Sequence, residues 1–147
     1  MAASGPDGDV APPVAGILET ALYVDDLARA AAFYEGVLGL KRHFGDERLV
    51  AFDAGSRSVL LLFRRGTTLD TVRLPGGTIP PHDGHGPVHF AFAVAADDLR
   101  NWEKRLVQNG VAVEGRTEWN RGGESLYFRD PDGHLVEFAT PGLWPNY

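Results

Sequence analysis

One unit occurs twice in this chain: a strand-like apolar run, an Asp-Asp pair, then a helical stretch closed by glycine. The first copy reads "ILETALYV" followed by "DDLARAAAFYEGVLGL", and the second "VHFAFAV" followed by "AADDLRNWEKRLVQNGV". Leu27, Ala31, Tyr34 and Leu38 fall at helical spacing in the first, as do Leu99, Trp102 and Leu106 in the second, so each helix has an apolar face to bury. Asp25 or Asp26 is expected to cap the first helix and Asp97 or Asp98 the second, with Gly39 and Gly110 ending them. Three strand-like runs follow each helix, at 41–44, 49–53 and 58–64 and again at 112–117, 124–129 and 134–139. "DAGSRS" and "DPDGHL" supply the turns before the last strand of each half. Each half therefore reads βαβββ. The predicted fold is α+β, with two modules related by a pseudo-twofold axis whose sheets form an open cup around a central cavity.

The 147 residues suit one domain. Its expected parts are a Gly/Pro/Ala-rich tail over 1–16, a domain over 17–140 and an extension over 141–147. Within the domain, module one spans 17–66, a crossover 67–86 and module two 87–140. The crossover, rich in Gly and Pro, is a candidate flap. A formal charge of −6 provides no basic surface for nucleic acid, and no apolar run is long enough for a membrane helix. The N-terminal residues carry no secretory or transit pattern, so a cytoplasmic location is expected. The chain has no cysteine, so any metal must be held by imidazole, carboxylate or amide groups.

Aligning Val24 with Val94 sets Glu19 over His89 and Ala21 over Ala91. Strand side chains alternate, so Glu19, Ala21 and Tyr23 share one face, as do His89, Ala91 and Ala93. Each face begins with a metal-competent group and continues with a small one. In the final strand Leu135, Glu137 and Ala139 share a face, and the first-half position equivalent to Glu137 falls at Leu60 or Leu61, neither of them a donor. Glu19, His89 and Glu137 then make a three-ligand set with open positions, as a catalytic metal needs. Two carboxylates and one imidazole suit a divalent ion such as Zn, Ni, Mn, Fe, Co or Mg.

The stretches "ILETALYVDDLARAAAFYEGVLGL", "GPVHFAFAV" and "SLYFRDPDGHLVEF" resemble the vicinal oxygen chelate superfamily of glyoxalases, bleomycin-resistance proteins, fosfomycin-resistance transferases and extradiol dioxygenases. The resemblance runs from Ile17 to Thr140. It implies paired βαβββ modules, a homodimer, a metal at the cavity floor, and His89 and Glu137 as second-module ligands. Glu19 falls where many members have histidine and some glyoxalases glutamine. An extra carboxylate would lower an iron potential, which ranks a ring-cleaving Fe(II) dioxygenase below the other activities. Leu60 or Leu61 stands where glyoxalase I has a proton-moving carboxylate, so "glyoxalase-like" is the reading.

The implied chemistry is Lewis-acid activation of a small oxygenated substrate, of lyase, isomerase or transferase type, with Glu137 or Glu19 as general base. The alternative is a bleomycin-resistance-like protein that sequesters a small molecule without catalysis. In "TEWNRGGESLYF", Trp119, Arg121, Ser125 and Tyr127 share parity. Trp119, Arg121 and Tyr127 are candidate substrate contacts, Arg121 for a carboxylate or phosphate. His82 and His85 lie in the flap, His43 and His134 are assigned no role, and the C-terminal "PGLWPNY" is read as packing across a module or subunit boundary.

Overall fold

The computed structural model describes residues 10–147. The expected tail therefore lies largely outside the described residues; residues 10–16 are exposed and carry no helix or strand. Module one runs β1 (Glu19–Val24), α1 (Leu27–Gly36), β2 (Arg42–Gly45), β3 (Leu49–Asp53) and β4 (Val59–Arg64). The crossover contains a short hairpin, β5 (Val72–Leu74) and β6 (Gly77–Ile79), which was expected as loop. Module two runs β7 (His89–Ala93), a 3₁₀ turn (Ala96–Asp98), α2 (Leu99–Gln108), β8 (Gly115–Glu118), β9 (Glu124–Arg129) and β10 (Leu135–Ala139).

The strands form two four-stranded sheets of identical topology, β1-β4-β3-β2 and β7-β10-β9-β8, and no closed barrel. In each, the first strand of the module pairs in parallel with its last, while the remaining pairs are antiparallel. The α+β paired-module fold expected from the repeat is the fold observed. Register also settles the choice between Leu60 and Leu61. Ala21 pairs with Leu61 as Ala91 pairs with Glu137, so Leu61 holds the equivalent place and Leu60 turns into the core, 1% exposed.

One face of each sheet is consumed by packing. Leu22, Phe52, Leu60 and Leu62 of the first sheet and Leu126, Phe128, Val136 and Phe138 of the second join Tyr34 of α1 and Leu106 of α2 in a shared core. Burying each such side chain contributes about 1.5–3 kcal/mol. A ring contact carries the core from one module to the other, Phe33 of α1 meeting Phe128 of β9 at 6.4 Å between centroids, and within module two Trp102 of α2 meets Phe138 of β10 at 4.6 Å. Because side chains alternate, this leaves the odd-numbered faces bearing Glu19 and Ala21, or His89 and Ala91, turned out of the core and exposed.

Asp26 caps α1 by accepting from the Arg29 amide at 3.0 Å, and the helix closes at Gly36, earlier than its apolar spacing suggests. Asp98 makes no capping hydrogen bond, because the 3₁₀ turn supplies the start of α2 instead.

Candidate functional site

His89 opens β7, and Glu137 lies in the middle of the neighbouring β10. Their register partners, Leu135 and Ala91, set imidazole and carboxylate as diagonal neighbours on the outer face of the second sheet. The His89 Nδ1 lies 2.9 Å from the Leu135 carbonyl oxygen. A carbonyl only accepts, so Nδ1 carries a proton and Nε2 is the nitrogen turned toward Glu137. That Nε2 lies 3.1 Å from Glu137 Oε1. At 3.1 Å the imidazole and the carboxylate share a cation, either a proton in a hydrogen bond from Nε2 or a metal ion held by both, and the spacing is near that of two neighbouring ligands each about 2.1 Å from one ion. The pair therefore fits part of a divalent-metal site.

The second carboxylate oxygen is held as firmly. Ser125 donates to Glu137 Oε2 at 2.6 Å, and Trp119 Nε1 donates to the Ser125 hydroxyl at 2.9 Å. An indole N–H can only donate, so it occupies a serine lone pair and turns the hydroxyl proton toward Glu137. Ser125 and Glu137 are 1% and 6% exposed, whereas His89 is open to a cavity.

That cavity, of about 560 Å³, is lined by His89, Glu137, Trp119 and Tyr127 together with Ala91, Phe92 and Ala93 of β7 and the C-terminal segment. Arg121 is exposed in the turn between β8 and β9 and does not line it. The turn itself, with Gly122 at φ +96°, breaks the strand alternation that grouped Arg121 with Trp119. A larger groove of about 630 Å³ runs along α1, away from both His89 and Glu137.

The C-terminal residues help to wall the cavity through Leu143, Trp144, Asn146 and Tyr147. Their path is tied down. The Tyr147 hydroxyl reaches the carbonyls of Ala139 at 2.9 Å and Val94 at 3.2 Å, and the Gly142 amide donates to the Tyr147 carbonyl at 2.9 Å. Gly142 sits at φ +109°, where a β-carbon would lie 2.5 Å from the Gly123 nitrogen, so this crossing of two turns requires glycine. Tyrosine parity along β9 is readable from sequence; a loop tied by one distant hydroxyl is not.

Glu19 stands exposed at the start of β1, opposite Val59 on the other sheet. Among the described residues no cluster of three His, Cys, Asp or Glu forms a metal cage, so one chain brings together two of the three expected donors. The crossover does not line the cavity shared by His89 and Glu137; its Asp83, Gly84 and His85 border a smaller one between β1 and the other side of His89. His82 Nδ1 hydrogen-bonds the Tyr23 hydroxyl at 2.5 Å and its ring meets Phe63 edge-on at 4.8 Å. Burial, reinforced by the nearby Asp83 charge, pushes the Tyr23 hydroxyl above the ordinary tyrosine pKa.

His134, given no role from sequence, is buried with Asp130 in the turn before β10. Asp130 Oδ2 meets His134 Nδ1 at 2.6 Å and accepts from Tyr34 of α1 at 2.7 Å, while Oδ1 accepts the amides of Asp132 and His134. Burial favours the neutral carboxyl, but the hydrogen bonds from His134 and Tyr34 outweigh it and hold Asp130 below its ordinary range. This "DPDGH" knot joins the two modules.

Paired βαβββ modules present an imidazole and a carboxylate beside an open cavity on the outer face of the second sheet. The chain belongs to the Glyoxalase/Bleomycin resistance protein/Dioxygenase superfamily, whose family model matches residues 16–138. It is 32% identical to the metallothiol transferase FosB of Bacillus licheniformis over 132 residues, 89% of this chain and 79% of that protein. It is 30% identical to the glutathione transferase FosA of Serratia marcescens, over 83% of this chain and 78% of that protein. Among solved structures, a lactoylglutathione lyase from Agrobacterium tumefaciens superimposes with a TM-score of 0.82 at 36% identity, covering 91% of this chain and 99% of that one. No helix among the described residues is long and apolar enough to cross a membrane.

Proposed function

We propose that this protein is a cytoplasmic, divalent-metal-dependent enzyme that acts on a small oxygenated substrate by transferase, lyase or isomerase chemistry. The observation that carries the reading is the His89–Glu137 pair, with Nε2 and Oε1 held 3.1 Å apart and each donor locked by a second hydrogen bond. The names of the relatives, two thiol transferases and a glutathione-adduct lyase, support transfer or elimination at carbon.

His89, Glu137 and Glu19 are the proposed metal ligands. A bound ion would supply Lewis acidity toward a substrate oxygen that becomes anionic in the transition state. His89 keeps one tautomer through Leu135, so its Nε2 stays directed at the ion. Glu137 Oε1 faces the cavity while Oε2 is occupied by Ser125, which leaves one oxygen to ligate or to accept a substrate proton. Glu19 reaches the site in this reading from a second copy of the chain in a homodimer, because the outer faces of both sheets remain exposed in one copy. Trp119 and Tyr127 border the bound substrate; Arg121 lies outside that shell.

Elemental mass spectrometry tests the reading. Near-stoichiometric metal in the wild type, lost in Glu19→Ala, His89→Ala and Glu137→Ala, is the expected result. A protein that stays metal-free after reconstitution with Mn, Fe, Ni, Co and Zn would overturn it. Turnover requiring Fe(II) and oxygen would instead identify a dioxygenase, and full turnover in Glu137→Gln would remove Glu137 as the base. The second reading, sequestration of a small molecule without catalysis, draws support from the aromatic lining of the cavity.

A further inference from the structure

The crossover is fastened to the body of the protein near one end. Thr68 and His82 close its neck: the His82 amide donates to the Thr68 carbonyl at 2.9 Å, and the Thr68 hydroxyl donates to the His82 carbonyl. The His82 ring then clasps the first sheet, with Nδ1 at 2.5 Å from the Tyr23 hydroxyl and the ring edge-on to Phe63. Phe63 is only 7% exposed yet stands apart from the core that the modules share. Its cover is local, made by Tyr23 stacked at 5.8 Å and by His82 at 4.8 Å between centroids. Gly84 presses on the same tyrosine, since a β-carbon there would lie 2.7 Å from Tyr23 Cδ2. Beyond the neck, β5 and β6 form a two-stranded sheet of their own, with Leu69, Leu74 and Ile79 exposed. Gly66 at φ +87° and Gly86 at φ +89° stand at the two ends of the segment, in conformations that glycine adopts at no steric cost. A segment with so few buried apolar contacts, set between two such glycines, can open while the core stays folded.

We propose that residues 67–86 are a hinged strap, held shut by the His82–Tyr23 clasp over the cavity between β1 and β7, and that release of the clasp opens this cavity to small solutes. The cavity, of about 300 Å³, is bordered by Thr20, Tyr23, Asp83, His85, His89 and His134. His89 also borders the larger cavity that it shares with Glu137, so an open strap exposes a second flank of the same imidazole. The clasp is made by contacts within one chain, so the strap opens without two copies having to part.

The chain has no cysteine, so Thr20→Cys places a single thiol on the wall of the cavity. Its reaction with N-phenylmaleimide, followed on the full-length folded protein, should run at least about tenfold more slowly than on the unfolded chain. Tyr23→Phe keeps the ring and removes only the hydroxyl, and should speed the reaction about two- to tenfold, the share of one hydrogen bond. Gly84→Ala should speed it further, because the added β-carbon pushes the strap off Tyr23; if that variant does not fold, Tyr23→Phe decides. Opening of the strap alone exposes little surface, so dilute urea should leave the rate nearly flat. Dilute and concentrated protein should react alike. A thiol as reactive in the folded as in the unfolded chain, or a rate unchanged in Tyr23→Phe, would overturn the proposal. So would acceleration by urea with the full slope of global unfolding, or protection that appears only at concentrations where copies associate.

Discussion

Ser125 is a small residue with a large share in the site. Its hydroxyl is the sole link between Trp119 and Glu137 Oε2, and without it that oxygen would be free to turn toward His89 and alter how the carboxylate meets an ion. Groups that orient a metal ligand typically contribute 10–100-fold in affinity. Ser125→Ala is therefore expected to weaken metal binding by roughly 10–100-fold in a chelator competition, with Ser125→Thr close to wild type; equal affinity in Ser125→Ala would show that Glu137 orients itself. Asp130 has the same density of partners but a different task. Its folded pKa is held below the ordinary carboxyl value, so the stability it contributes is complete above that value and is lost as pH falls through the depressed folded pKa. Denaturant unfolding across the acid range should show this decline in the wild type and a shallower one in Asp130→Asn. That variant should also lose about 2–3 kcal/mol at neutral pH, because it leaves buried partners unsatisfied.

At the scale of elements, the two helix starts look alike in sequence and are built differently. Asp26 accepts the Arg29 amide, whereas Asp98 caps nothing with its side chain. Asp26→Ala should cost about 1 kcal/mol and Asp98→Ala less than about 0.5 kcal/mol, which thermal melts of the two variants resolve. The same contrast marks what the sequence makes legible. Period and order are written locally, so both modules, the outward faces of β1 and β7 and the partnership of His89 with Glu137 all follow from alternation. Features made by contact between distant segments do not. The β5–β6 hairpin is only three residues per strand, too short for a period to register. The C-terminal segment with Trp144 reaches the cavity through bonds from Tyr147 to Val94 and Ala139, and His134 is held by Asp130, which also binds Tyr34, 96 positions earlier than that aspartate. Arg121 shares parity with Trp119 yet is carried away by one turn, because alternation ends where a strand ends.

For the whole molecule, the decisive quantity is where Glu19 acts. The two modules share one core and turn their chemistry-bearing faces outward, so each chain carries a two-donor half and, on its other sheet, the remaining carboxylate. If a homodimer joins the halves, every complete site takes Glu19 from one copy and His89 with Glu137 from the other. A mixed dimer of Glu19→Ala and His89→Ala chains then contains one site with both lesions and one with none. Each variant alone should bind no metal. Unfolding the two together and refolding them in equal amounts gives half mixed dimers by chance, so metal content should return to about a quarter of wild type, accompanied by a dimer in sedimentation. A site built within one chain predicts no recovery at any mixing ratio, since every chain then carries its own lesion. Recovery that disappears when the mixed species is diluted to monomers would tie metal binding directly to association, and so to the pairing of the two exposed sheet faces.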